Sequence, residues 1–163
     1  MTSPSYMGHG TKQRDLVRMS PEEIDAFLRE PHTATMCTLF PDGSVHAVGM
    51  WYGFLDGAVA MESKAKAQKV LNLRRDPRVT VLVETGRAYE ELRGVSLIGT
   101  AEILEERERL WEVAVSLFSR YYQPYTEEMK PFVEALMSKR VAIKIHPKRI
   151  VSWDHRKLGL PAT

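Results

Sequence analysis

Apolar residues along most of this chain fall in short alternating or clustered runs bounded by turn residues, and they switch to helical spacing in four places. Residues 33–40 are rich in threonine and apolar side chains, Pro41-Asp42-Gly43-Ser44 is a turn, and residues 45–54 read as the return strand of a hairpin. A second turn at Asp56-Gly57 leads into a strand over 58–61, making a meander. Residues 79–84 and 94–104 read as antiparallel neighbours joined by a polar loop, and two final strands follow at 141–146 and 149–153. The first helix opens at Ser20, with Pro21 at its first position, Glu23 closing a capping box, and Ile24, Phe27 and Leu28 turned inward. A second helix follows residue 63. A third, over 105–122, carries Leu110, Val113, Leu117 and Tyr121 on one side, and a fourth is capped by Thr126 and ends near Ser138.

Strands interrupted by short helices, without regular βα alternation, predict a mainly β, α+β barrel architecture and exclude a doubly wound sheet. With 163 residues, 44% of them hydrophobic, the chain suits one domain with a real core, over 19–163, preceded by a polar N-terminal arm over 1–18. The formal net charge of +2 and the lack of long like-charge blocks argue against nucleic acid as a partner. A single cysteine, Cys37, excludes an internal disulfide framework, and neither a signal core nor a membrane-length apolar run is present. A cytoplasmic protein without a membrane partner is the expectation.

The chemistry concentrates between residues 61 and 83, MESKAKAQKVLNLRRDPRVTVLV. Ser63 reads as the helix N-cap, with Lys64, Lys66 and Lys69 around the helix start, Lys66 and Lys69 on one face, and Val70 and Leu73 on the packing face. The positive end of a helix surrounded by lysines is a place to hold a phosphate. A solvated amphipathic helix is the alternative from the residues alone. Arg74 and Arg75 suit the last turn, and Asp76-Pro77 ends it.

Other constellations are weaker. The five histidines lack zinc-ligand spacing, the nucleophile-elbow, P-loop and dinucleotide glycine patterns are missing, and Cys37 reads as a core residue. Tyr89, Glu90, Glu91 and Arg93 crowd one loop-to-strand junction that could contact a planar ring or form a surface ion-pair cluster. Trp153, followed by Asp154, His155, Arg156 and Lys157, could stack on a ring or close the core.

The order of hairpin, short strand, SKAKAQKVLNLRRDPRV, YEELRGVSLIGTAEI and RIVSWDHRKL resembles the pyridoxamine 5′-phosphate oxidase-like split β-barrel proteins over residues 20–158. It looks most like the branch that uses the deazaflavin coenzyme F420 in place of FMN. The resemblance implies a Greek-key-like split barrel of the FMN-binding type and a homodimer with cofactor sites between subunits. It implies that Lys69 binds the cofactor phosphate, and that Ser63, Lys64 and Lys66 form the turn around it. Gln68 stands where FMN-dependent oxidases carry an arginine. Val48, Met50 and Trp51 match the strand along the ring, and Trp153 the segment that completes the pocket. The arginine–histidine pattern of genuine pyridoxal phosphate oxidases is replaced by Asp154-His155-Arg156, which argues against vitamin B6 oxidation. The implied reaction is hydride transfer to a small planar unsaturated substrate such as an enone, quinone or tetrapyrrole, with Tyr89, Arg93 and His155 as candidate proton donors or anion stabilisers. FMN-dependent oxidoreduction and non-catalytic binding of flavin, deazaflavin or haem are the alternatives.

Overall fold

The computed structural model describes residues 12–161. Seven strands form one antiparallel sheet: β1 (Ala34–Leu39), β2 (Val45–Met50), β3 (Gly53–Leu55), β4 (Ala58–Lys64), β5 (Arg78–Thr85), β6 (Arg93–Leu104) and β7 (Arg140–Asp154). Their order is β2-β1-β5-β6-β7-β4-β3, so the last strand in the chain lies between β6 and β4. Among the described residues there are five α-helices: α1 (Gln13–Val17), α2 (Pro21–Arg29), α3 (Gln68–Arg75), α4 (Arg107–Tyr121) and α5 (Lys130–Leu136).

The strands carry the predicted alternation into a two-sided core. Inside the curl of the sheet, Met36, Met61, Val81, Val83, Val95 and Ile143 pack with Phe27 and Leu28 of α2 and Val70 and Leu73 of α3. On the opposite side of β3, β4 and β7, the stripe Leu110, Val113, Leu117 of α4 covers Leu55, Ala60 and Ala142. Phe27 and Leu28 are 2% and 7% exposed, and burial of each contributes about 1.5–3 kcal/mol. Their helix starts as predicted, with the Glu23 amide donating to Ser20 Oγ at 3.2 Å and the Ser20 amide to Glu23 Oε2 at 2.6 Å.

Several elements differ from expectation. The return strand stops at Met50, because Trp51 and Tyr52 turn the chain out of the sheet before β3 begins. The two strands expected at 141–146 and 149–153 are one continuous β7. A bulge makes this possible: Ile98 pairs with Arg149 and Gly99 with Pro147, so Lys148 is the extra residue and Pro147 needs no ladder donor. Gly99 is required there, since a Cβ would lie 2.1 Å from the His146 carbonyl oxygen. The helix expected after Thr126 begins as a 3-10 turn over Glu127–Met129 and becomes α-helical only at Lys130.

The expected N-terminal arm lies outside the described residues over 1–11. From residue 13 the chain is helical, and Val17 is buried.

Candidate functional site

The lysine-rich turn folds differently from its sequence reading. β4 continues to Lys64, so Ser63 is a buried strand residue and not the helix cap. The N-cap of α3 is Ala67, with no side-chain cap bond, which leaves the amides of the first turn without a capping oxygen. Lys66 precedes the helix and does not share a helical face with Lys69. Gln68 turns along α3, its Nε2 donating to Asn72 Oδ1 at 2.9 Å, and Asn72 is itself anchored on Thr38 Oγ1 at 3.1 Å.

Lys69 is half-buried and points back to the strand, where its Nζ donates to Ser63 Oγ at 3.4 Å. Burial, and then the positive charge of Arg140, push its ammonium pKa below the ordinary lysine value. Among the described residues no carboxylate forms an ion pair with Lys64, Lys66 or Lys69. Register adds further positive charge: Arg140 lies opposite Lys64 across β4 and β7, and the Lys139 carbonyl accepts from the Ala65 amide at 2.9 Å.

Arg140 also borders a cleft of about 440 Å³ between the β2–β3 corner, β4 and α4, walled by Met50, Trp51, Glu62, Phe118 and Tyr122. Trp51 is 47% exposed and stacks on Tyr121 with centroids 4.5 Å apart and planes 7° from parallel. That stack is held: Tyr121 Oη donates to the His32 carbonyl at 2.6 Å and accepts from the Tyr52 amide at 3.2 Å. Met50 and Trp51 therefore reach the cleft; Val48, two residues earlier, packs with Met50 against the inner core but does not border the cleft.

Glu62 and Arg140 were not singled out in the sequence. Glu62 Oε1 lies 3.6 Å from Arg140 Nη1, its Oε2 is buried without a partner, and burial pushes the carboxyl pKa up. A glutamate within the otherwise apolar AVAMES run was a visible signal. Arg140 gives none until the β4–β7 register is known.

Tyr89, Arg93, His155 and Trp153 gather elsewhere and border none of this cleft within one chain. Arg93 makes a bidentate pair with Glu30 at 2.8 and 2.9 Å and lies over the Phe27 ring, 5.0 Å from its centroid. His155 Nδ1 donates to the Tyr89 carbonyl at 2.7 Å, and Tyr89 Oη accepts from Gln13 Nε2 at 2.8 Å. Trp153 lies opposite Gly94 on β6, its ring filling the place a Cβ would take, 2.1 Å from the nearest ring atom.

A half-buried Lys69 without an ion-pair partner among the described residues, and Arg140 at the edge of a cleft with an aromatic wall, suit a planar ligand carrying a phosphate. Among the described residues no group of three or more histidine, cysteine, aspartate or glutamate side chains could hold a metal ion. None of their helices is long and apolar enough to cross a membrane.

The chain is similar to the crystal structure of a conserved hypothetical protein of Mycobacterium tuberculosis, with 52% identity, a TM-score of 0.90, and coverage of 94% of this chain and 96% of that one. An F420 reductase shares the fold at 24% identity and a TM-score of 0.62, covering 80% of this chain and 98% of that one. HutZ, the heme storage protein of Vibrio cholerae, does so at 16% identity and a TM-score of 0.64, covering 83% and 95%. No curated protein matches the chain. Residues 20–154, which include the cleft, Lys69 and all seven strands, match the family described as pyridoxamine 5′-phosphate oxidase, and the chain belongs to that family of split β-barrels.

Proposed function

We propose that the protein is a coenzyme F420-dependent oxidoreductase that reduces a small planar unsaturated substrate. The observation that carries this reading is the desolvated Lys69 ammonium, which shares its surroundings with Arg140 and has no carboxylate partner among the described residues. Burying a cation without a counter-ion is costly, and a phosphate beside Lys69 would supply the opposite charge. Lys69 would hold that phosphate, with Lys64, Lys66 and the uncapped first turn of α3 around it and Ser63 orienting the lysine. Met50 and Trp51 would flank the ring, and the shape-locked Trp51–Tyr121 stack would keep it in place and exclude water from one side.

When bound, the deazaflavin supplies hydride chemistry at its C5 position. The chain contributes orientation and charge. Tyr89, Arg93 and His155 border none of the cleft within one chain, so none of them is assigned there as proton donor. Gln68, which turns along α3 to Asn72, supplies no second cation of the kind that FMN-dependent oxidases place there, and this favours deazaflavin over FMN. A homodimer would let Trp153 of a second copy close the same cleft.

Titration with oxidised F420, and separately with FMN, tests the reading. Micromolar or tighter F420 binding with weaker FMN binding supports it; the reverse order moves the protein to FMN chemistry. Bound cofactor that no donor or acceptor turns over leaves a binding protein, and binding of neither removes the reading.

A further inference from the structure

Glu62 and Arg140 face one another at the polar end of the cleft but do not satisfy each other. Their contact of 3.6 Å is longer than a hydrogen bond, Glu62 is 11% exposed, and its Oε2 has no donor. An ionised carboxylate in that position buries a charged oxygen that has no donor, which disfavours the charged form; when neutral, Glu62 leaves the Arg140 charge uncancelled. The remaining wall offers no other cation or carboxylate: Met50, Trp51, Leu117 and Phe118 are apolar or aromatic, Thr33 brings a neutral hydroxyl, and Tyr122 is the other titratable group that borders the cleft. From β4 the nearby charge is Lys64, opposite Arg140, and from α3 it is Lys69.

We propose that Glu62 and Arg140 form a proton-linked latch for the carboxylate of a flat aromatic or conjugated acid, whose ring lies against Phe118 of α4 and Tyr122 at its C-terminal cap while its oxyanion pairs with Arg140. Protonated Glu62 admits the anion and can donate to it. Ionised Glu62 claims Arg140 and repels the anion. Because burial raises the Glu62 pKa, the neutral form persists to higher pH than for an exposed glutamate, and anion affinity falls as pH rises through the raised value. The latch names the substrate class of the proposed reductase and rests on that reading in taking the α4 side of the cleft as the substrate's place, beside the cofactor ring on Trp51.

Calorimetric titration of the full chain with naphthoate, from mildly acidic to mildly alkaline pH, tests it. In the unmodified protein affinity is expected to drop about tenfold or more across that range, the size of one charge-assisted contact. Glu62→Gln should hold the low-pH affinity at every pH. Arg140→Gln should bind about tenfold more weakly throughout, while Arg140→Lys, which keeps the charge, retains the slope. Inorganic sulfate should compete with naphthoate at low pH. A flat profile in the unmodified protein, an unchanged slope in Glu62→Gln, full affinity in Arg140→Gln or a lack of competition by sulfate would each overturn the latch. Failure of F420 to bind while the naphthoate slope persists would remove the cofactor reading and leave the latch; the converse would remove the latch alone.

Discussion

Two cationic regions sit at opposite ends of β7, and they treat charge in opposite ways. At the C-terminal end, Arg93 is forked onto Glu30, Arg156 onto Asp154 at 2.6 Å, and Lys157 onto Glu23 at 2.5 Å. At the N-terminal end, Lys64, Lys66 and Lys69 have no ion-pair partner among the described residues, and Arg140 has only the long contact to Glu62. Counting basic residues cannot separate the two. Neutralisation can: a cation already paired within the chain contributes to the fold, and one held half-buried without a partner is ready for a ligand.

The largest way to break this contrast is to remove a neutralised partner. Arg93→Ala frees Glu30 and uncovers Phe27, and should lower stability by about 1.5–3 kcal/mol in chemical denaturation while leaving F420 affinity unchanged. A loss of cofactor binding without a loss of stability would reverse the roles of the two regions. Gly94→Ala tests the same end sterically, since its methyl meets the Trp153 ring, and should cost about 1–3 kcal/mol.

Lys69→Ala should show the mirror image. Cofactor affinity should fall about tenfold to a hundredfold, the value of a charge-assisted contact. Stability should hold, and Lys69→Met should raise the melting temperature at neutral pH, because the lowered lysine pKa means that the fold disfavours its charge. A fall in melting temperature would make Lys69 a structural residue.

The pH dependence of stability sharpens the comparison with smaller effects of opposite sign. Glu30 and Asp154 have carboxyl pKa values lowered by hydrogen bonds from Arg93 and Arg156, so their stabilisation is complete above the ordinary carboxylate range and is lost as pH falls through the depressed folded values. Glu62 is raised by burial, so its penalty appears as pH climbs from the unfolded value toward the folded one. Glu30→Gln should therefore flatten the acid limb of a melting-temperature profile, and Glu62→Gln should raise its neutral plateau. The same direction of change in both variants would refute the contrast.

What was legible in the sequence is what local physics determines. The capping box of α2, the turn at residues 41–44, the β5–β6 pairing and the apolar stripe of α4 each rest on neighbours in the chain, and each is present. Ser63 was misplaced because a serine before a lysine-rich helix satisfies the cap pattern equally well as the end of a strand, and β7 holds it in the sheet through pairing with Val141. The continuity of β7 depends on a bulge opposite Gly99, a long-range relation that Pro147 disguised as a break. The candidate site was partly legible: Lys69 stood out in the local pattern of the lysine-rich turn, while Met50 and Trp51, which border the cleft, were reached through the family resemblance. Glu62 and Arg140 were not, because their meeting is a property of strand register.

The place of β7 in the sheet has a consequence for how the chain matures. During synthesis β4 and β6 exist before the strand that joins them, so each carries an unpaired edge until residues 140–154 emerge. The β3–β4 hairpin, with Glu62 and Ser63 on it, is united with the β6 wall only at that moment. The cleft is accordingly a late product of folding, and ligand binding reports that the final strand has been threaded home.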